Sequence, residues 1–288
     1  MKTCVSSYSF NNLLRSGEYD QLSLMKKVKD MGFDAIEFTD LNPPKGIGIE
    51  DFAKQIREES EKINLPVANY TIGGEFLNCE SLDAEVERLH RCVDIAQILG
   101  ASGMRHDATG GFKGVDRTYK GFDQALRVLV EGCRRVTDYA TEKGIVTMVE
   151  NHGFFCQDSL RVESLVTGVG KENFGVLLDM GNFLCVDEAP ELACSLLAPF
   201  VKHVHCKDFH VKSGNEPNPG EGFFMSRGGN YLRGAIVGHG NVPVKQCLAV
   251  VAREGYKGYV SIEFEGMEEN IKAMEIGLDN LKSYIDSL

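Results

Sequence analysis

Residues 122–150, FDQALRVLVEGCRRVTDYATEKGIVTMVE, hold one full repeat of the pattern that decides the fold. Apolar side chains recur every three or four residues from Phe122 to Ala140, which predicts a helix with one buried face. Lys143-Gly144-Ile145 follows, and a glycine after a helix supplies the left-handed residue that reverses the chain. The β-branched run Val146–Glu150 then predicts a buried strand. This stretch is therefore a helix, turn and strand of an α/β protein.

The same unit recurs along all 288 residues, with further glycine turns at Gly32, Gly100 and Gly255. Eight α/β units without a linker favour one (β/α)8 TIM-barrel domain, residues 1–288, a fold whose usual size is about 250 residues. A doubly wound open sheet is the alternative, but residues 8–14 lack the glycine-rich loop that it normally carries after its first strand. The predicted strands are Cys4–Phe10, Ala35–Phe38, Val67–Ile72, Gly103–His106, Val146–Glu150, Val176–Asp179, Val201–His205 and Tyr259–Phe264.

Charge and composition exclude several classes of protein. The chain has 31 Lys+Arg against 42 Asp+Glu, a net charge of −11, and no basic run that could offset its repulsion of a phosphate backbone. No apolar run approaches the roughly 18 residues that cross a bilayer. Nine cysteines without a Cys-x-x-Cys pair, and a start without a signal-peptide pattern, indicate a reducing compartment. We therefore expect a cytoplasmic protein that binds neither nucleic acid nor membranes.

Polar residues occupy four predicted strand ends, the place where TIM barrels carry their reactive groups. The fifth reads Val149-Glu150-Asn151-His152, the sixth Leu178-Asp179-Met180-Gly181-Asn182, the seventh His203-Val204-His205-Cys206-Lys207-Asp208 and the eighth Ser261-Ile262-Glu263-Phe264-Glu265. Side chains of a strand alternate between the lumen and the helices. Glu150, Asp179, His205 and Glu263 can therefore face inward at one height.

These four side chains form the candidate metal site. Three carboxylates and an imidazole without fixed cationic partners would repel one another, and a divalent cation removes that repulsion. The donor set favours Mn²⁺, with Mg²⁺, Co²⁺ or Zn²⁺ as alternatives. The competing interpretation is that each acid caps a helix or pairs with a nearby Lys or Arg.

Other polar residues near the strand ends have separate interpretations. His203 lies two residues deeper than His205, which favours a core or supporting role over a ligand role. Glu37 could face the lumen and contact substrate, or cap the next segment. Residues that could contact a polyol or keto acid are His152, Arg105, His106 and Lys207.

One connection is long. About thirty residues rich in Gly, Pro and Asn, 210–241, follow the seventh strand. Long loops in compact domains are usually functional or disordered. We expect this loop to be a lid that closes over the substrate, with a disordered insertion as the alternative.

Taken in order, the strand-end motifs resemble those of the sugar phosphate isomerase/epimerase superfamily. These are xylose isomerase-like TIM barrels that include ketose 3-epimerases, hydroxypyruvate isomerase and inosose dehydratase. The resemblance extends over the whole chain and includes Gly238-His239-Gly240-Asn241-Val242. It implies that Glu150, Asp179, His205 and Glu263 hold one divalent metal, that the two glutamates exchange protons with substrate, and that the protein is a homodimer or homotetramer.

One position departs from the family pattern. Many relatives carry histidine three residues after the metal-binding aspartate, where this chain has Asn182. Asparagine can hydrogen-bond a substrate oxygen but is not an acid or base near neutral pH. The departure also weighs against the related DNA-repair endonucleases, which use that histidine to hold zinc.

The expected reaction begins with removal of a proton next to a carbonyl, giving an enediolate that the metal stabilises. Return of the proton gives an isomerase or epimerase acting on a sugar or small keto/hydroxy compound. Loss of a β-hydroxyl instead would give a dehydratase acting on an inosose or similar keto-polyol, and a non-catalytic sugar-binding barrel is the third interpretation. No run of Arg or Lys marks a phosphate pocket, which favours an unphosphorylated sugar, polyol ketone or small keto acid.

Overall fold

Glycine turns end the helices as the sequence predicts. In the computed structural model, which describes residues 1–288, Gly32 and Gly100 end their helices with φ of 87° and 73°. Glycine adopts this left-handed conformation without steric cost. A buried strand begins three residues after each of them, at Ala35 and Gly103.

Eight parallel strands close into a barrel, which confirms the predicted (β/α)8 class. They are β1 (Lys2–Ser6), β2 (Ala35–Thr39), β3 (Val67–Ile72), β4 (Gly103–His106), β5 (Val146–Glu150), β6 (Phe174–Asp179), β7 (Val201–Cys206) and β11 (Tyr259–Ile262), and their order around the barrel is β1-β11-β7-β6-β5-β4-β3-β2. Three further strands lie outside the barrel: β8 (Asp208–Lys212), β9 (Phe224–Met225) and β10 (Tyr231–Ala235). Because the sheet is closed, the carboxyl ends of its eight strands surround one opening.

Helices surround the barrel and bury their apolar faces against it. They are α1 (Asn11–Ser16), α2 (Gln21–Met31), α3 (Ile49–Ile63), α4 (Leu82–Leu99), α5 (Phe122–Glu142), α6 (Ser159–Val169), α7 (Pro190–Leu197), α8 (Val244–Arg253) and α9 (Asn270–Asp286). In α5, Leu129, Cys133, Val136 and Ala140 are fully buried, as their spacing predicts. They belong to one connected core of 63 buried residues. None of the helices is long and apolar enough to cross a membrane.

The first and last barrel strands are shorter than predicted. β1 ends at Ser6 because the Ser6 hydroxyl caps a short 3-10 helix, Ser7–Phe10, by accepting the Tyr8 amide. Ser9 in that 3-10 helix then links the end of the first barrel strand to the end of the last one. Its hydroxyl donates to the Ile262 carbonyl at 3.2 Å and accepts the Phe264 amide at 3.0 Å.

The long connection after β7 is not an unstructured loop. β8, β9 and β10 form a separate antiparallel sheet in the order β8-β10-β9. We call residues 208–242 the excursion. Its base is held by the Asp208 carboxylate, which accepts the backbone amides of Gly238, Gly240 and Val242 at 2.8 to 3.0 Å. These ordered strands rule out the expectation of a disordered insertion.

Candidate metal centre

Four strand ends bring four donor atoms together at the mouth of the barrel. Glu150 and Asp179 end β5 and β6, His205 lies in β7 opposite Asp179, and Glu263 follows β11. All four side chains are buried. His205 Nδ1 lies 3.9 Å from Glu150 Oε1, 3.8 Å from Asp179 Oδ2 and 3.6 Å from Glu263 Oε2. One donor atom from each residue lies within 4.8 Å of every other.

Backbone hydrogen bonds fix the direction of the Asp179 carboxylate. Its Oδ1 accepts the amides of Gly181 and Asn182 at 2.8 and 3.0 Å. Asn151 holds the Asp179 backbone from both sides, since its side chain donates to the Asp179 carbonyl and accepts the Asp179 amide. Oδ2 is therefore turned toward the lumen, where it is buried and makes no hydrogen bond.

Two fixed cations stand beside the carboxylates, which corrects the expectation that none would be present. Arg105 lies 2.8 Å from both Glu150 Oε2 and Asp107 Oδ1. Lys207 Nζ lies 2.6 Å from Glu263 Oε2 and 3.2 Å from Asp179 Oδ2. The competing interpretation is thus correct in part, because Glu150 and Glu263 each have a cationic partner. The repulsion argument alone does not require a metal.

The excess negative charge of the carboxylates and the two buried atoms that make no hydrogen bond still fit a divalent cation. Carboxylates outnumber the two cations in this cluster, and burial together with neighbouring Glu150 and Glu263 raises the pKa of Asp179 to about 6. His205 Nδ1 is buried without a hydrogen bond, as Asp179 Oδ2 is, and the two atoms face each other at 3.8 Å. Two donors of one ion, each about 2.1 Å from it, lie roughly 3 to 4 Å apart. The arrangement therefore matches a site for one cation.

Glu37 lies deeper in the barrel lumen than the four donor residues and does not reach the mouth of the barrel. Its side chain is fully buried, with Oε1 2.6 Å from His205 Nε2 and Oε2 2.8 Å from His203 Nε2. Burial alone would raise the pKa of Glu37, but the two imidazoles outweigh it and lower the pKa to about 2. The substrate contact expected of Glu37 does not fit this position, because the side chain is fully buried and faces His203 and His205. His203 has the supporting position that its depth predicts.

His106 also points away from substrate, contrary to expectation. It neighbours Arg105 in β4, and because alternate residues face opposite sides of a strand, the His106 ring lies outside the lumen. There it is fully buried, edge-on to Phe76, with Nδ1 2.9 Å from the Asp107 carbonyl. Burial lowers the pKa of His106 to about 4, so the ring is neutral.

The remaining predicted contacts lie around the cluster. Asn182 donates to Glu150 Oε1 at 2.9 Å and accepts from Lys207 at 3.2 Å, so it links the two halves of the site. His152 is half exposed at the mouth, with Nδ1 3.1 Å from Asp107 Oδ1. Burial would lower the pKa of His152, but the Asp107 carboxylate outweighs it and raises the pKa. Sequence reasoning missed Asp107 and Asn151, although each directly follows a residue that it had singled out.

A cavity of about 320 Å³ opens beside the cluster, between α1 and the excursion. Its lining is mostly polar and includes Asn11, Asn12, Arg15 and Glu265. Glu265 Oε1 is 3.2 Å from Lys207 Nζ, which places the cavity next to the carboxylates. The cavity thus adjoins Lys207 through Glu265, while none of the four donor residues lines it.

A family model described as the xylose isomerase-like TIM barrel matches residues 25–284, which include all four donor residues. The chain belongs to this family. The match confirms the resemblance that the strand-end motifs indicate.

Curated relatives match over part of their length. The chain is 29% identical over 138 residues to the rhizopine catabolism protein MocC of Rhizobium meliloti, covering 46% of this chain and 41% of that protein. It is 25% identical over 140 residues to inosose dehydratase 1 of Bacillus cereus, covering 48% and 46%. The aligned region thus spans less than half of each relative.

Solved structures share the fold over almost the whole chain. The probable 3-DHS dehydratase AsbF of Bacillus anthracis superposes with a TM-score of 0.73 at 16% identity, covering 98% of this chain and 99% of that one. L-ribulose 3-epimerase superposes with a TM-score of 0.72 at 15% identity, covering 99% and 95%. The family's neighbours therefore include both an epimerase and a dehydratase.

Proposed function

We propose that this chain is a divalent-metal-dependent isomerase or epimerase of a sugar or small keto/hydroxy compound. The observation that carries the proposal is the convergence of three carboxylates on the unpaired, buried Nδ1 of His205. The likeness to an epimerase supports the same class of reaction. Glu150, Asp179, His205 and Glu263 would hold the cation, for which we propose Mn²⁺, with Mg²⁺, Co²⁺ or Zn²⁺ as alternatives.

A bound cation would supply the positive charge that makes a carbon next to a carbonyl more acidic. The protein's own residues would move the proton. Glu150 is the last residue of β5, and Glu263 directly follows β11. These two strands are not neighbours in the barrel, so the two carboxylates approach the centre from different sides. One would take the proton and the other would return it, and return to the opposite face inverts the carbon.

Neighbouring residues would hold the proton-transfer groups and the substrate in place. Arg105 and Asn182 fix the Glu150 carboxylate, and Lys207 fixes that of Glu263. Fixed geometry of this kind contributes to rate because the groups need not be ordered during the reaction. Lys207, Asn182 and Arg105 contact the two glutamates and His152 is half exposed at the mouth, and these four residues are the proposed contacts for substrate oxygens.

A dehydratase acting on an inosose or similar keto-polyol is the second candidate. His152 favours it, because it is half exposed at the mouth and its contact with Asp107 raises its pKa. A protonated imidazole there could donate to a departing hydroxyl. The curated inosose dehydratase and the AsbF neighbour support this candidate. A non-catalytic sugar-binding barrel has less support, since it would not need three carboxylates around a buried imidazole nitrogen that makes no hydrogen bond.

The substrate would be an unphosphorylated, carbohydrate-like molecule. The two cations nearest the donors, Arg105 and Lys207, are engaged by carboxylates, which leaves no free cationic pair there for a phosphate. We further propose that the protein acts in the cytoplasm, as a homodimer or homotetramer, and that the excursion closes over bound substrate. Neither nucleic acid nor a membrane is proposed as a partner.

The test is transfer of solvent deuterium into substrate. A panel of ketoses and inososes is incubated with the Mn²⁺-loaded protein in D₂O and examined by NMR. Deuterium in a recovered epimer or isomer supports the first proposal, and deuterium with loss of water supports the dehydratase. If no compound gains deuterium or changes, the proton-transfer proposal is wrong.

Two variants locate the proton transfer within the site. Glu150→Gln and Glu263→Gln keep the shape of the side chain and remove its basicity, so we expect exchange to fall by several orders of magnitude. Glu59→Gln on the outer helix α3 is the matched control, because Glu59 pairs only with Lys26 and Lys62. Wild-type exchange in both site variants would contradict the two-glutamate mechanism.

A further inference from the structure

A buried group of three side chains below the metal centre has no role in the proton transfer proposed above. Glu37 from β2 reaches across the lumen to two residues of β7, His203 and His205. All three side chains are almost completely buried. Burial of a carboxylate is costly unless it is paired, so an acid placed here requires a specific purpose or a compensating interaction.

This group does not fit a second metal site. Glu37 Oε1 and His205 Nε2 are 2.6 Å apart. Two donors of one ion, each about 2.1 Å from it, would be separated by roughly 3 Å even at a right angle. A charge-assisted hydrogen bond, with a typical length of about 2.7 to 2.9 Å, agrees better with the observed distance. A hydrogen bond between Glu37 and His205 therefore accounts for this distance better than a shared cation does.

The proton of this hydrogen bond determines which nitrogen of His205 is free. Neutral imidazole carries one N–H, and the other nitrogen then offers its lone pair. If Nε2–H donates to Glu37, the lone pair is on Nδ1, the atom that lies 3.6 to 3.9 Å from the three carboxylates. Metal-binding histidines usually have such a carboxylate partner, which fixes the ring and makes it a better donor.

We propose that Glu37 is a positioning residue that holds His205 in the tautomer whose Nδ1 binds the cation, and that His203 locks Glu37 in place. This inference rests on the proposed metal function. His203 Nε2 lies 2.8 Å from the second oxygen of Glu37, so each oxygen of the carboxylate faces one imidazole. The two imidazoles lie nearly perpendicular, with ring centres 5.8 Å apart, which lets each reach a different oxygen.

The first measurement is Mn²⁺ affinity by titration calorimetry. Loss of a carboxylate behind a metal-bound histidine typically weakens metal binding by about 10- to 100-fold. We expect a loss of about 10-fold for Glu37→Gln, which keeps a hydrogen-bond acceptor without charge, and a larger loss for Glu37→Ala. His203→Gln should weaken binding less than Glu37→Ala, because His205 keeps its direct partner. Glu59→Gln is the matched control and should bind as the wild type does.

The second measurement is the tautomer of His205 in the wild-type protein, read by ¹⁵N NMR of the Zn²⁺-loaded form. We expect a protonated Nε2 and a metal-bound Nδ1. This measurement needs no variant and so decides the matter even if the Glu37 variants do not fold.

Three outcomes would overturn the inference, and they are distinguishable. Wild-type Mn²⁺ affinity in folded Glu37→Gln and Glu37→Ala removes the positioning role and leaves the proposed function intact. A Zn²⁺-bound Nε2 also removes the positioning role, and it contradicts the proposed metal centre as well, because Nδ1 is the atom that faces the three carboxylates. If the wild-type protein binds neither ion, the inference falls together with the proposed metal function.

Discussion

At the scale of single residues, the buried His106 ring makes stability depend on pH. Its folded pKa of about 4 lies below the ordinary 6.5 because burial disfavours the charged ring. The unfolded chain therefore binds a proton more readily as the pH falls from about 6.5 toward 4, which favours unfolding. The stability present above pH 6.5 should decline in this window by at most about 3 kcal/mol.

The comparison with His106→Gln isolates this effect. The variant cannot titrate at this position, so its free energy of unfolding should fall less steeply between pH 7 and pH 4 than that of the wild type. Urea denaturation across this range measures both slopes. Parallel curves for the two proteins would show that His106 is not the group responsible.

The convergence of Glu150, Asp179, His205 and Glu263 could be predicted because they occupy a simple position, the inward-facing residue at a strand end. Their partners could not, because they come from distant parts of the chain. Nothing near Glu150 in sequence indicates Arg105, and nothing near His205 indicates Glu37. Such pairs depend on which strands become neighbours or face each other across the lumen, and a single sequence does not specify that register.

At the scale of elements, the tip of the excursion is anchored to the barrel loops. Asp187 Oδ1 accepts from Ser226 and Asn230 at 2.7 and 2.8 Å, and its other oxygen accepts the Gly228 amide. Arg227 adds a contact with Asp158 at 3.1 Å. A segment that closes over substrate would have to keep or exchange these contacts.

We expect Asp187→Asn to loosen the excursion tip. Asp187 has φ of 59°, a left-handed conformation that asparagine also tolerates, so the change removes charge without adding backbone strain. Hydrogen bonds to charged groups are worth about 1.5 to 3 kcal/mol. Hydrogen exchange at residues 226–231 should therefore become roughly 10- to 100-fold faster, as measured by mass spectrometry.

The exposed pair of Asp138 with Lys171 on the barrel exterior provides the control, Asp138→Asn. It should leave exchange in the excursion unchanged. Equal exchange at residues 226–231 in wild type and Asp187→Asn would mean that this anchor does not hold the tip.

Periodicity predicted the barrel strands well but missed β8, β9 and β10. Strand β9 has only two residues, and the segment between β8 and β10 is rich in glycine and polar residues, which indicate a loop. The small sheet instead depends on pairing with β10 and on the Asp208 carboxylate. At the other end, the 3-10 turn after Ser6 was missed because residues 4–10 lack a turn signal.

At the scale of the whole molecule, the alternation of strands and helices was sufficient to predict a closed barrel. In the closed ring of eight parallel strands, each strand pairs with two neighbours, so no strand edge stays exposed. Closure also brings the ends of β5, β6, β7 and β11 to one opening. The candidate metal centre is thus a property of the complete ring and not of any one element.

Metal stoichiometry tests this account most directly. Metal-free protein is dialysed against micromolar Mn²⁺, and bound metal is measured by atomic emission, with circular dichroism to confirm folding. We expect one Mn²⁺ per chain in the wild type and almost none in Asp179→Asn and His205→Ala, since the first variant loses a carboxylate charge and the second an imidazole donor from the group of four. Retention of one Mn²⁺ per chain in folded His205→Ala would contradict the proposed centre.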